Sequence, residues 1–342
     1  MTTTLAIAVD EISRVAEVQR EAAGLAGRLG LGETVTGKVA LVATEMARNL
    51  VLHATGERQL LLRPLECPGV LGVELLALDR SPGMVDVAAS LRDGYSTSGT
   101  AGTGLGAILR LATVHDLYSN PEVGTALLAQ VWAPGGRVCG PEVGAVSLPK
   151  PGQVTNGDGW SVLRGRDVAR LLVVDGLGHG PDAAEASQVA LKAAAELPGL
   201  RPEALLQLLH EALRSTRGAA AAVAELDEIN DAIRYAGVGN IAGVIAAPEG
   251  GRQAMVSHNG ALGAQVRRMH EFTYPWPKGA LAILHSDGLS GRWDLKSYPG
   301  LASRHPSLIA GVLWRDFARG TDDVTVVVAR NTATRSEQAE AA

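Results

Sequence analysis

The chain has 342 residues, 46% of them hydrophobic and 20% charged, with a formal net charge of -5 at pH 7 and only two cysteines. An acidic balance without a Lys/Arg run argues against a nucleic-acid binder, and the hydrophobic share suits a core-forming chain. The N-terminus has no basic segment leading into an apolar one, and no apolar stretch reaches the ~20 residues of a spanning helix, so a soluble cytoplasmic protein with no membrane partner and reduced thiols is expected.

The length favours two domains. Thr2 to Val9 reads as a strand and Asp10 to Leu29 as a helix. In Lys38 to Ala54, Val39, Val42, Met46, Leu50 and Val51 form one apolar helical face. Glu45 and Asn49, four residues apart, project together from that helix, as a site or as ordinary solvated surface. Leu60 to Arg63 and Gly72 to Leu78 read as strands, the second ending at Asp79-Arg80-Ser81-Pro82-Gly83-Met84. After a helical stretch from Val85 to Leu91, a small-residue loop from Asp93 runs through Gly102-Thr103-Gly104-Leu105-Gly106 into a helix over Ala107 to Ala112. Such a loop presents free backbone N–H groups and a positive helix end, a seat for phosphates. A dinucleotide fingerprint would need a strand immediately before the glycines, and the polar stretch from Asp93 is not one.

Taken together, these three segments resemble the histidine-kinase-like ATP-binding fold of the anti-sigma-factor and RsbT-type switch kinases. Thr44 to Asn49 is similar to that family's N box, Asp79 to Gly83 to its first glycine box and Gly102 to Gly106 to its second. The resemblance, over Ile7 to Trp132, implies ATP with Mg²⁺ as ligand. It makes Asn49 the Mg²⁺ ligand, Asp79 the acceptor for the adenine amino group, and Gly83, Gly102, Thr103, Gly104, Leu105 and Gly106 the nucleotide-binding loops. Glu45 falls where related kinases place a general base. No His stands in a phospho-acceptor helix, which disfavours a sensor histidine kinase. Binding of nucleotide without phosphate transfer stays open.

Gly135 to Lys150, rich in Gly and Pro, is the expected boundary between domains 1–134 and 142–330, with 331–342 a disordered tail. The first domain is expected to be a mixed sheet with helices on one face. In the second, Val143 to Leu148 reads as a strand and Val162 to Ala169 as a hairpin tip. The run Leu171-Leu172-Val173-Val174 then reads as a buried strand ending in Asp175-Gly176-Leu177-Gly178-His179-Gly180, with a helix starting near Pro181. A helix pair, Ala184 to Leu197 and Pro202 to Arg214, precedes strands at Ala219 to Leu226, Ala232 to Gly237 and Ile241 to Ala246. The turn Gly237-Val238-Gly239-Asn240 is most simply a tight hairpin. A strand over Leu281 to Leu284 runs into His285-Ser286-Asp287-Gly288, and Asp322-Asp323 precedes a last strand, Val324 to Val328. Asp158 stands in Asn156-Gly157-Asp158-Gly159-Trp160. Carboxylates gathered at strand ends repel unless cations neutralise them, and oxygen ligands suit Mg²⁺ or Mn²⁺.

The order of these motifs resembles the metal-dependent PPM-type serine/threonine phosphatases, in particular their SpoIIE-like, RsbX-type branch, over about Val143 to Arg330. By that resemblance two ions are held. Asp175 bridges them, the Gly176 carbonyl binds the second, Asp287 and Asp322 bind the first, and Asp158 holds the second through waters. Asp175, Asp287 and Asp322 are then the catalytic set. Asp323 stands where many relatives have Asn and is expected to orient its neighbour. His179 falls two residues after the acid His of eukaryotic relatives and is read as supporting, and His258 and His285 as packing or hydrogen-bonding residues. The fold class expected is α/β (α+β): an N-terminal histidine-kinase-like ATP-binding α/β sandwich followed by a C-terminal PPM-type α-β-β-α sandwich. The expected activity is dephosphorylation of phosphorylated STAS-domain or anti-sigma-antagonist proteins in bacterial stress or sigma-factor signalling, with serine/threonine kinase activity as a possible addition. The alternative is a catalytically silent, nucleotide-sensing scaffold that binds the phosphoprotein.

Overall fold

The structure, a computed structural model, describes residues 4–67, 69–84, 104–136, 141–164, 168–248 and 250–332. Contacts divide the chain into two units, Met1–Cys139 with Leu295–Val312, and Gly140–Asp294 with Leu313–Ala342. Both mix helices and sheets, as the fold class anticipated. No helix among the described residues is long and apolar enough to cross a membrane.

The first unit opens with β1 (Leu5–Ala8), α1 (Ser13–Arg28), α2 (Gly32–His53), β2 (Arg58–Cys67) and β3 (Val70–Asp79). After the undescribed 85–103, where the helical stretch from Val85 and the loop from Asp93 fall, come α3 (Gly104–Leu111), β4 (Val114–Asn120) and β5 (Gly124–Trp132). The strands form one sheet in the order β1-β2-β3-β5-β4. Every pairing in it is antiparallel, which corrects the expected mixed sheet: β2–β3 and β4–β5 are hairpins, and hairpin partners run oppositely by construction. α2 starts six residues earlier than the sequence suggested, because Val35 continues the stripe of Val39, Val42 and Met46 that packs with Leu60, Leu62 and Leu75 of the sheet. Cys67 is disulfide-bonded, correcting the expectation of a reduced thiol; the chain's other cysteine, Cys139, lies outside the described residues.

The second unit contains β6 (Glu142–Leu148), β7 (Asp158–Arg164), β8 (Ala169–Gly176), α4 (Pro181–Glu196), α5 (Pro202–Ala212), β9 (Ala219–Asp227) and β10 (Ala232–Val238). It continues with β11 (Ala242–Ala246), β12 (Arg252–Met255), β13 (Phe272–Pro275), β14 (Leu281–His285) and β15 (Val324–Arg330). Two five-stranded antiparallel sheets result, β13-β10-β9-β8-β7 and β12-β11-β14-β15-β6. The unbroken apolar run in β8 has a simple cause. Its side chains alternate, so Leu171 and Val173 face the second sheet's Ile245, Leu284 and Val327, while Leu172 and Val174 face Ala186, Ala190, Leu205 and Leu209 of α4 and α5.

These pairings decide where the acidic residues go. In the register of β7 with β8, Asp158 lies directly opposite Asp175. In the other sheet β14 ends at His285, and β15 begins at Val324, so Asp287 and Asp322-Asp323 follow and precede neighbouring strands.

Candidate active site

The four separated acidic motifs converge. Asp158 is buried and Asp175 half-buried. Ser286 Oγ donates to Asp158 Oδ2 at 2.6 Å and accepts from the Thr325 amide at 2.9 Å, tying the end of one sheet to the end of the other. Like charges directly opposite one another in a sheet are destabilising, and here both partners are removed from water. Burial, then the charges of Asp158, Asp287, Asp322 and Asp323, push the Asp175 carboxyl up to about 8. Burial also raises Asp158, to about 7; hydrogen bonds from Ser286 and Thr325 oppose it, and Asp323 and Asp287 add to it. Among the described residues none of these five aspartates has an ion-pair partner.

Glycines let the backbones close in. A Cβ on Gly176 would stand 2.1 Å from the Ala183 carbonyl oxygen, and one on Gly288 2.0 Å from the Asp323 carbonyl oxygen. Only glycine permits either approach. Asp323 accepts from the Lys150 amide at 2.8 Å and the Gly157 amide at 2.9 Å, so both oxygens already hold neighbouring backbone in place. Its own amide donates to Asp322 Oδ1 at 2.9 Å. His179 is exposed, with Nδ1 3.2 Å from Gln153 Nε2. His285 is buried between the Ser286 carbonyl and the Trp293 indole, and burial lowers its pKa.

Three contributors escaped the sequence reading as site residues. Ser286 stood inside a quoted motif but gave no sign of reaching Asp158. Asn156 accepts from the Asp158 amide at 2.9 Å and donates to Ser147 Oγ at 3.0 Å, fixing the turn. Asn240, in a turn read as a plain hairpin, donates from Nδ2 to Asp287 Oδ2 at 2.8 Å.

The arrangement suits hard divalent cations in donor type, since every candidate ligand is an oxygen. No three His, Cys, Asp or Glu side chains among the described residues enclose an ion by themselves. Mg²⁺ does not require them to: it commonly takes one or two carboxylates and keeps several waters.

In the first unit, the loop-to-helix junction meets α2. A Cβ on Gly104 would lie 2.8 Å from Glu45 Oε2 and 3.5 Å from Asn49 Oδ1, so the structure brings Gly104 to the Glu/Asn pair. Leu105 packs on the core and Gly106 is buried. Asp79 is buried at the end of β3, where its Oδ1 accepts from the Ser81 amide (2.9 Å) and hydroxyl (2.6 Å). Gly83 lies against Asn120, whose carbonyl oxygen would be 2.4 Å from an added Cβ. Gly102 and Thr103 lie outside the described residues.

Comparison with known proteins fits both halves. Residues 8–131 match the histidine kinase-like ATPase domain and residues 165–332 the Stage II sporulation protein E (SpoIIE) family. The chain is 33% identical to the serine/threonine-protein kinase RsbT of Bacillus subtilis (strain 168) over 108 residues, which are 32% of this chain and 80% of that relative. The chain joins a histidine kinase-like ATPase domain to a SpoIIE domain. With the phosphoserine phosphatase RsbX of the same organism it is 25% identical over 143 residues, 42% of this chain and 72% of that protein. A solved structure from work on the bacterial stressosome, a modular system adapted to control secondary-messenger signalling, is 31% identical with a TM-score of 0.52, covering 56% of this chain and 100% of its own. The acidic cluster therefore lies in or beside the SpoIIE domain, and the Glu45–Asn49 pair in the ATPase domain.

Proposed function

We propose that the SpoIIE domain is a metal-dependent serine/threonine protein phosphatase and that the ATPase domain binds ATP with Mg²⁺, the two addressing one partner protein. The observation that carries the first half is the set of aspartates around Asp175, whose carboxyl is raised to about 8, with no ion-pair partner for any of them among the described residues. Residues that would hold two ions, Mn²⁺ or Mg²⁺, are Asp175 between them, Asp287 and Asp322 on one, and the Gly176 carbonyl with Asp158 on the other. When bound, such ions supply Lewis acidity that brings a water toward neutral pKa and offsets charge on phosphoryl oxygens. The chain's own residues do the positioning. Ser286 and Asn156 hold Asp158, Asn240 holds Asp287, and Asp323 pins the Gly157 turn beneath them.

RsbT and RsbX by name are a kinase and a phosphatase, which supports a substrate cycled between phosphorylated and free forms. The partner is then a STAS-domain or anti-sigma-antagonist protein in bacterial stress or sigma-factor signalling, met in the cytoplasm. Tethering both domains raises their effective concentration at that target. In the ATPase domain Asn49 would hold Mg²⁺, Asp79 the adenine, and Glu45 would serve as base if phosphate is transferred. The domain boundaries are taken as 1–134 and 142–330.

The test has two arms. Hydrolysis of p-nitrophenyl phosphate and of a phosphorylated STAS protein is followed with Mn²⁺ and with chelator. ATP binding is followed by calorimetry, where Asn49→Ala and Asp79→Ala are expected to abolish the heat. Absent hydrolysis with retained phosphoprotein binding would leave the silent-scaffold alternative standing, metal-independent hydrolysis would remove the metal from the mechanism, and no ATP heat would remove the nucleotide half.

A further inference from the structure

Residues 256–271, between β12 and β13, form a loop pinned to the strand ends that carry the acidic cluster. The Ala219 and Leu262 backbones exchange hydrogen bonds of 3.1 and 2.8 Å, and Ala219 lies opposite Gly176 in the β8–β9 register. The His258 amide donates to the Gly237 carbonyl and the His258 carbonyl accepts from Gly239, both at 2.8 Å. Asn240, next along, is the residue that donates to Asp287. The loop borders a cleft, open to solvent, of about 450 Å³ lined by His258, Asn259, Gly260, Gln265, Arg267 and Arg268.

This lining holds two guanidinium groups and no carboxylate. Among the described residues neither Arg267 nor Arg268 has an ion-pair or hydrogen-bond partner, and Glu271, at the end of the same loop, pairs through Oε1 with Arg201. His258 Nε2 is buried with no hydrogen-bond partner. An unpartnered buried nitrogen and two exposed forks form an incomplete set that an oxyanion completes, since a guanidinium matches carboxylate or phosphate with paired N–H bonds.

We propose that this cleft is an anion subsite for the phosphoprotein substrate. It seats a carboxylate or second phosphate carried within a few residues of the phosphorylated serine or threonine, a carboxylate side chain being the expected occupant. The proposal rests on the phosphatase reading above. A peptide crossing the strand ends would place its phosphoryl group at the carboxylate cluster and its flank on the arginines.

The Mn²⁺-loaded full chain is assayed on three phosphoserine peptides of equal length with a neutral flank, an Asp/Glu flank or a second phosphoserine. Their binding is read separately by fluorescence anisotropy. The expected result is a KM at least about tenfold lower for an anionic flank, the size of one charge-assisted hydrogen bond. The preference ratio should fall toward one in Arg267→Ala/Arg268→Ala and partly return in the Lys/Lys pair. The peptide that loses more identifies the occupant as carboxylate or phosphate. Equal KM and binding for all three peptides in the wild type, or a preference unchanged in the double variant, overturns the subsite. A wild-type protein inert toward p-nitrophenyl phosphate with Mn²⁺ would instead overturn the phosphatase reading, and anisotropy would still decide the subsite.

Discussion

Strand β8 carries a charge near each end, and the fold treats the two differently. Near the start, Arg170 lies opposite Glu225 of β9, which lies opposite Arg234 of β10, and both arginines pair with the one glutamate. Arg170 and Glu225 are almost wholly buried, and Arg170 also donates to the Pro198 carbonyl at 2.7 Å. At the other end Asp175 lies opposite Asp158, and its further charged neighbours are Asp287, Asp322 and Asp323. The same sheet thus holds a buried carboxylate with two cations supplied and a half-buried one with none among the described residues. A buried charge without a partner is costly, so the second end is stable only as a protonated or cation-bound site. The contrast shows that the acidic end is not a general tolerance of this fold for buried acid; under the proposed metal-dependent reading, a bound cation would supply the missing positive charge.

The strongest way to break that contrast is to change Asp175 itself. Asp175→Asn keeps the shape and removes the carboxylate proposed to be shared by both ions, so Mn²⁺-dependent hydrolysis should fall at least ~10²-fold, and Asp287→Asn should behave alike. Both should stay folded by circular dichroism. Undiminished turnover in Asp175→Asn, or turnover indifferent to a chelator, would remove the metal from the mechanism.

The paired end should respond in stability instead. Arg170→Met leaves Glu225 buried with Arg234 as its remaining partner, so the cost should be roughly 2 kcal/mol, below the ~3–5 of a pair broken outright. Melting with and without Mn²⁺ should show the same deficit, because this end has no ligand to lose. A deficit present only with metal would mean the ends are coupled.

How far these ends were legible in the sequence depends on how local their signals are. An apolar run stopping at Asp-Gly, twice, and an Asp-Asp before a valine run marked four of the five acidic positions from neighbouring residues alone. What joins them is not local: Ser286 reaches Asp158 across 128 positions, and only the register of two separate sheets brings that about. Asn240 looked like turn chemistry because it is turn chemistry, and its second role depends on where β14 ends. The strands β4, β5, β12 and β13 went unread, the last two for a related reason. β12 has one buried residue in four, Met255, and β13 is equally short, so neither shows a sustained alternation. In the first unit the glycine loop was visible as composition, while the approach of Gly104, at the start of α3, to Glu45 and Asn49 follows from the packing of α2 and α3.

A third prediction sharpens the contrast through pH. Asp175 and Asp158 are raised, to about 8 and about 7, from an unfolded value near 3.9. Without metal the folded state therefore holds protons that the unfolded state has released, and its stability falls as pH rises from about 4 through about 8. Metal-free protein should melt a few degrees lower at pH 8 than at pH 6 by this contribution, which Mn²⁺ reverses by replacing the protons. Asp175→Asn should flatten the difference. A metal-free wild type whose pH dependence matches that variant would show that Asp175 is not raised.

The smallest effect, and the most specific to geometry, is expected at Asn240. Its Nδ2 donates to Asp287 Oδ2 at 2.8 Å from an exposed position, so it adds no buried area and little stability. What it does is limit the rotation of the Asp287 carboxylate, a proposed metal ligand, and such supporting bonds are worth roughly tenfold in metal affinity at the low end of the known range. Asn240→Ala should raise the Mn²⁺ concentration for half-maximal hydrolysis by about that factor while leaving kcat at saturating Mn²⁺ within about twofold, since Asp287 can still be oriented by the ion once it is bound. Asn240→Asp tests the cause: it loses the same donor but adds a sixth carboxylate whose attraction for the cation offsets that loss, so it should need less Mn²⁺ than Asn240→Ala. An Asn240→Ala enzyme with unchanged Mn²⁺ dependence would reduce this residue to the hairpin turn its sequence suggested.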